Sequence, residues 1–295
     1  MPEIVEVRKY CDFINENMMN QNITNISILN GRYKKHKPFE GYHMIKKYLP
    51  LKFIKAQSKG KFIYITFENN IILFCTLGLS GGWTFLSDKK YLFPNIVEYL
   101  NINDIKQYHD KSLKHLNVEF KIATGSLYFF DMLSFGTLKA IDNIITLEKK
   151  LKSIAPDVME CNKKTFNDII RCHPSKMIGL VLLNQKIISG IGNYLRADVL
   201  WMAKVSPFRY IKNITPKEIN KIYRAIMALT WGNYDIKFAI KNKLVLKSTR
   251  LPFFYKRDFY IYNETNDIYG NHVKKEELYE GSQKRFIYWC PSYQK

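Results

Sequence analysis

The order of two hydrophobic periods constrains this chain more than any single residue does. Residues 3–19 carry Ile4, Val5, Tyr10, Cys11, Phe13, Ile14 and Met18 as a broad apolar stripe at helical spacing. From Ile23 to about Lys139 the signal changes to short runs of β-branched and aromatic residues, at 62–67, 71–77, 118–122 and 127–130. Turn chemistry separates them at Asn69-Asn70 and Thr124-Gly125-Ser126. Runs this short and this closely spaced predict an all-β sandwich or barrel. The texture shifts again over 139–157, where Ala155-Pro156-Asp157 marks a break. Helical periods then occupy 163–172, 175–183, 192–202 and 216–231. The last is opened by Thr215-Pro216-Lys217-Glu218, a cap residue, a first-turn proline and an early acid. Beyond 251, strand-like pairs return at 259–263 and 285–289. The expected fold class is α+β in two domains. An N-terminal helix plus an antiparallel β-sandwich covers 1–145, a helical domain covers 158–250, and a β-hairpin tail covers 251–295.

Length and charge narrow the function. At 295 residues the chain holds about two domains. Its 46 basic and 26 acidic side chains give +20, unevenly placed. Residues 151–250 hold 18 basic and 6 acidic groups, a net of +12, against 21 and 14 over residues 1–150. A field that positive favours a polyanion, with nucleic acid the default; a merely solubilising surface is the plainer alternative. No apolar run is long enough to span a membrane. The start, Met-Pro-Glu-Ile-Val-Glu, has acids where a signal peptide has cations, so the chain is expected to be soluble and intracellular. Nucleus, cytoplasm and viral factory suit it equally. Five cysteines without a Cys-x-x-Cys pair argue against a disulfide framework and a four-cysteine zinc site.

Three places carry chemistry. With Met1 removed, Pro2 becomes a secondary amine, and an α-amino group with a pKa near ~7.7–8.0 is partly unprotonated at neutral pH. Such an amine can attack a sugar C1′, with Glu3 and Glu6 beside it to transfer protons. An ordinary helix start explains the same residues. The second place is Asn184-Gln185 through Gly190-Ile191-Gly192-Asn193-Tyr194, where a helix ends, glycines turn the chain, and another helix opens. Backbone N–H groups at such a helix start, with an Asn amide, suit a phosphate, which makes Gly192, Asn193 and Tyr194 candidate DNA-binding residues; a plain helical hairpin is the other reading. The third is the tail from Lys284-Arg285 to Tyr293-Gln294, a basic tip leading an aromatic strand.

Together these places resemble the formamidopyrimidine-DNA glycosylase and endonuclease VIII family of base-excision repair enzymes, over nearly the whole chain. Pro2, Glu3, Glu6 and Val7 match the family start. Lys59-Gly60-Lys61 matches its lysine before a hairpin. Leu77-Gly78-Leu79-Ser80-Gly81 and Asp131…Phe135-Gly136 resemble two of its loops. Asn184-Gln185 with Gly190-Ile191-Gly192-Asn193-Tyr194 is similar to its helix-two-turn-helix signature, and Arg285…Tyr293-Gln294 to the closing strand of its zinc finger. The resemblance implies a monomeric enzyme that clamps damaged DNA. Pro2 attacks C1′ and forms a Schiff base, β,δ-elimination nicks the strand, Glu3 transfers protons and Glu6 supports the site. Lys61, Asn193 and Arg285 grip phosphates around a flipped nucleotide.

Two departures qualify that expectation. The four zinc-ligand positions fall at Asn266 or Asp267, Tyr269, Cys290 and Tyr293, which leaves one thiol. No cofactor and no metal are therefore expected. The finger is expected to be of the zincless type found in some animal and large-virus endonuclease VIII-like members, with Tyr262, Tyr269, Val273, Tyr288 and Trp289 packed where zinc would sit. The residues that fill the gap left by the flipped nucleotide become Leu79, Leu133 and Phe135, with no arginine to read the opposite base. Oxidised pyrimidines or hydantoins are the expected lesions, in double-stranded, bubble or single-stranded DNA. A non-catalytic damaged-DNA clamp and an abasic-site lyase without glycosylase activity stay open as alternatives; an RNA-binding protein is disfavoured, because the strands lack the aromatic signature of such sheets.

Overall fold

A computed structural model describes residues 2–87, 90–92, 94, 115–254, 258–281 and 283–295. It separates into two compact units. One holds Pro2 with Glu6–Ser153; the other holds Glu3–Val5 with Ile154–Lys295. Among the described residues no helix is long and apolar enough to cross a membrane.

The apolar stripe becomes α1 (Ile4–Met18), which belongs to the first unit from Glu6 onward, with Phe13, Ile14 and Met18 buried. Two antiparallel sheets follow. One runs β1 (Asn22–Ile23), β3 (Leu51–Lys59), β4 (Phe62–Phe67), β5 (Ile72–Thr76), β10 (Thr137–Ile141). The other runs β2 (Asn25–Ile28), β8 (Leu116–Ile122), β9 (Gly125–Asp131), β6 (Gly81–Ser87), β7 (Lys90–Leu92). Phe53, Ile65 and Leu73 from the first sheet meet Trp83, Phe120 and Leu127 from the second, so the core lies between two sheets. Two short helices, α2 (Gly31–Lys35) and α3 (Tyr42–Lys46), bridge β2 to β3, and α4 (Ile144–Ser153) closes the unit.

The second unit is helical: α5 (Lys163–Arg171), α6 (Ile178–Leu183), α7 (Asn193–Ala203), α8 (Pro216–Tyr234) and α9 (Ile236–Lys241). The start of α8 closes as a capping box, with the Thr215 hydroxyl accepting from Glu218 N–H and the Glu218 carboxylate accepting from Thr215 N–H. Burial makes α7 the hub, since nearly every side chain from Tyr194 to Ala203 is covered. A hairpin of β11 (Lys274–Glu280) and β12 (Gln283–Trp289) ends the chain.

One expected strand is absent. Residues 259–263 curl instead of extending, because the N–H groups of Tyr260, Ile261 and Tyr262 all donate to the Asp198 carboxylate, at 2.9, 3.1 and 3.3 Å. Three consecutive donors on one acceptor cannot be met by a pleated chain, whose N–H groups alternate in direction. The partner of β12 is β11, in the charged run 274–280, where apolar alternation is weak.

Candidate active site

Glu3 is fully buried at the start of α7. Its Oε2 accepts from Gly192 N–H at 2.5 Å and its Oε1 from Tyr194 N–H at 3.1 Å. Ile4 N–H donates to Gly190 O at 3.1 Å, which completes the seat for the first residues of the chain. Gly190 has φ +109°, and a Cβ there would lie 2.6 Å from the Ile4 side chain, so glycine is required by both conformation and space. Gln185 braces the same turn: its Oε1 accepts from Gly190 N–H and its Nε2 donates to Ile191 O.

This arrangement corrects part of the expected phosphate site. The backbone donors of Gly192 and Tyr194 are taken by the Glu3 carboxylate, which uses the positive end of α7 as an anion would. Tyr194's ring is buried against Phe254 and Phe259, at centroid distances of 4.9 and 5.1 Å, and therefore anchors the helix. The Asn193 amide is positioned by Arg196. Its Oδ1 accepts from Arg196 at 3.3 Å, which leaves the Nδ2 end of the amide for an external acceptor.

Arg196 went unnoticed in the sequence and is central to this unit. It is fully buried, donating to Gly179 O at 2.9 Å, to Phe286 O at 2.5 Å and to Asn193. One guanidinium thus joins α6, the amide of Asn193 and the strand that carries exposed Arg285. Burial draws Arg196 down to about 10, against the pull of negative Glu3, so it stays charged at neutral pH. Asp198, on the same helix, is pushed up to about 7 by burial, with its three backbone donors opposing the shift. Two charges within Asn193–Ala203, an otherwise apolar helix, were the available sign that both are buried and partnered.

In the first unit, Glu6 is buried in the first turn of α1. Lys61 is half-buried at the β3–β4 turn, whose Gly60 has φ +56°. Leu79, Leu133 and Phe135 are 45, 55 and 59% exposed. They come from two loops held together by one buried carboxylate. Asp131 accepts from the Ser80 hydroxyl at 2.5 Å, from Leu133 N–H at 3.2 Å and from Gly136 N–H at 2.6 Å. Gly78 packs so closely that a Cβ would lie 2.7 Å from Gly136 N. Exposed apolar side chains on loops this firmly tied form a rigid projection. Asp131→Ala strands the Gly136 N–H and the Ser80 hydroxyl, while Leu133 N–H keeps the Ser80 Oγ at 2.9 Å, and should cost about 2–3 kcal/mol. That corresponds to a thermal midpoint lower by roughly 5–10 °C in a calorimetric scan.

The residues expected to stand at zinc-ligand positions, Asp267, Tyr269, Cys290 and Tyr293, gather around a tryptophan. Tyr269 and Tyr293 stack on Trp201 at 5.8 and 5.4 Å. Asp267 accepts from Trp201 Nε1–H, Tyr269 N–H and Asn271 N–H, and the Cys290 thiol lies 3.7 Å from its Oδ2. One thiol and one engaged carboxylate beside two stacked phenols do not make a tetrahedral zinc site. The aromatic filling expected there is also rearranged: Tyr262 pairs with Tyr288, Trp289 packs on Phe208, and Val273 is buried.

The chain matches two family models, the formamidopyrimidine-DNA glycosylase N-terminal domain over residues 1–138 and the formamidopyrimidine-DNA glycosylase helix-two-turn-helix domain over residues 154–232. It is 27% identical over 181 residues to the formamidopyrimidine-DNA glycosylase of Desulfitobacterium hafniense, a match covering 60% of this chain and 58% of that protein. It is 25% identical over its full length to that of Mycoplasmopsis pulmonis, with 98% of that protein covered. In three dimensions it is similar over both whole chains to the Lactococcus lactis enzyme, at 20–21% identity. The TM-score is 0.73 against that enzyme with abasic-site DNA and 0.74 against it with DNA containing an oxidised pyrimidine. With both domains matched in order, this chain belongs to the formamidopyrimidine-DNA glycosylase family.

Proposed function

We propose that this protein is a bifunctional DNA glycosylase and abasic-site lyase that removes oxidised bases. The observation that carries the reading is the buried Glu3 carboxylate, seated on two α7 amides immediately after Pro2. Once Met1, which lies outside the described residues, is removed, the Pro2 nitrogen attacks C1′ of the damaged nucleotide. The base leaves with the glycosidic electron pair and takes up a proton, and the sugar opens to an iminium on Pro2. Proton abstraction at C2′ then expels the 3′ phosphate, and a second elimination expels the 5′ phosphate. Glu3 moves protons in these steps; Glu6, one turn further along α1, supports the same end of the helix. Lys61, the Asn193 amide and Arg285 hold backbone phosphates.

Leu79, Leu133 and Phe135 fill the space of the everted nucleotide by apolar contact. Leu133 offers no hydrogen bond to the orphaned base, so the opposite base is weakly read, and oxidised pyrimidines or hydantoins are the proposed lesions. Single-stranded and bubble DNA are also accepted, because little is demanded of the complementary strand. The finger folds without metal, stapled by Asp267, and the chain acts as a monomer. These features support the reading of a zincless, endonuclease VIII-like member of the family. Incubation with a chelator should leave trapping activity within twofold of the untreated protein; a loss restored by zinc would reject the metal-free finger.

Borohydride reduction on oligonucleotides bearing thymine glycol, a hydantoin or an abasic site tests the central claim. A covalent band is expected on the lesion-bearing strands, and Pro2→Ala, with its processed N-terminus checked by mass, should abolish it. A band on abasic DNA alone would reduce the protein to a lyase. No band, with DNA binding intact, would leave a non-catalytic clamp.

A further inference from the structure

We propose that α2 and the residues after it form a phosphate-binding rail for duplex DNA, made by Lys34, Lys35 and Lys37 and fixed beside the apolar projection of residues 79, 133 and 135. The proposal rests on the DNA-repair reading above and adds a surface that reading does not use.

The run Gly31-Arg32-Tyr33-Lys34-Lys35-His36-Lys37 lies within a stretch, from Asn17 to Phe39, that contains no acid. Lys34, Lys35, His36 and Lys37 are all exposed. Among the described residues the three lysine side chains form no ion pair, and Glu40, the nearest acid along the chain, is paired to Lys139 at 2.6 Å. Three cations within four positions repel one another, and folding has supplied no internal counter-charge. A polyanion relieves that repulsion.

Position, more than charge, identifies which polyanion. Tyr33 is buried, and its hydroxyl accepts from Leu138 N–H at 2.6 Å, two residues beyond Gly136 at the foot of the projecting loop. Arg32 lies over the Tyr33 ring at 5.0 Å and reaches Ser134 O, inside that loop, at 3.5 Å. Gly31 enters α2 with φ +71°, and a Cβ there would lie 2.5 Å from the Asn117 side chain, so the approach of the helix is fixed. The lysines and the apolar projection are therefore parts of one rigid body. A group that fills a gap in a base stack must have backbone phosphates close by, and the lysines follow directly on Arg32 and Tyr33, which are bonded to the segment that carries it. An acidic protein partner has no comparable use for the adjoining projection.

The rail supplies affinity and no chemistry. Lys34→Ala/Lys35→Ala/Lys37→Ala is the variant to test, with Arg32 retained because it holds Ser134. Binding to a duplex with a stable abasic analogue, followed across salt concentrations, should weaken roughly tenfold or more near physiological salt. The slope of log K against log salt should become shallower by about 2–3, at 0.9 per lost phosphate contact. The thermal midpoint and the trapping rate at saturating DNA should match the parent. An unchanged slope in a parent that traps abasic DNA would overturn the rail and leave the glycosylase reading intact. A loss confined to single-stranded DNA would overturn the assignment to duplex. A parent that neither binds nor traps DNA would remove both readings together.

Discussion

Glu3→Gln is expected to slow formation of the borohydride-trapped product from a lesion-bearing duplex by about 10²–10⁴-fold, the usual worth of a positioned proton-transfer group. Both carboxylate oxygens of Glu3 are used, one by Gly192 N–H and one by Tyr194 N–H. Glutamine keeps one of these acceptors and turns an NH₂ donor toward the other N–H. The local cost should be about 1–3 kcal/mol, enough to lower the thermal midpoint by a few degrees without unfolding the protein. DNA affinity should persist, because the groups proposed to hold phosphates, Lys61, Asn193 and Arg285, are elsewhere. The two effects separate chemistry from seating. A variant that traps at the parental rate, with the same small loss of stability, would show that Glu3 only fastens the chain start to α7.

The second large effect is expected at a residue that touches no reacting atom. Arg196→Met leaves the carbonyls of Gly179 and Phe286 without their donor and frees the Asn193 amide to rotate. Breaking such a buried charged contact typically costs about 3–5 kcal/mol, so the midpoint should fall by roughly 10–15 °C. Measured well below that midpoint, DNA affinity should drop about 10–100-fold, and the salt slope should fall by about 1–2 as Asn193 and Arg285 lose their grip. Arg196→Lys keeps the charge but reaches fewer acceptors, and should restore stability more than affinity. Parental affinity and salt slope in the destabilised methionine variant would confine Arg196 to structural support.

Much of the architecture was legible in local patterns. The stripe over 3–19, the β-branched run 62–67 and the cap at Thr215-Pro216-Lys217-Glu218 became α1, β4 and the start of α8, because each states its period and its boundary within a few residues. The strand expected at 259–263 failed for the converse reason. Its aromatic and β-branched composition suits a strand, but a carboxylate 62 residues earlier in the chain captured its N–H groups. No local pattern encodes that competition. At the candidate site Pro2, Glu3, Asn193 and Arg285 are legible as residue types in order, whereas the partners of Glu3 and Asn193 are not.

Residue order alone thus determined the two-domain plan, the excess positive charge on the helical half and the family. Tertiary structure alone decided that the amides at the start of α7 belong to Glu3, that Arg196 joins Asn193 to the finger strand, and that Asp131 ties the two projecting loops. Hydrophobic period is a property of neighbours along the chain, whereas the pairing of a buried charge depends on groups that only folding brings together.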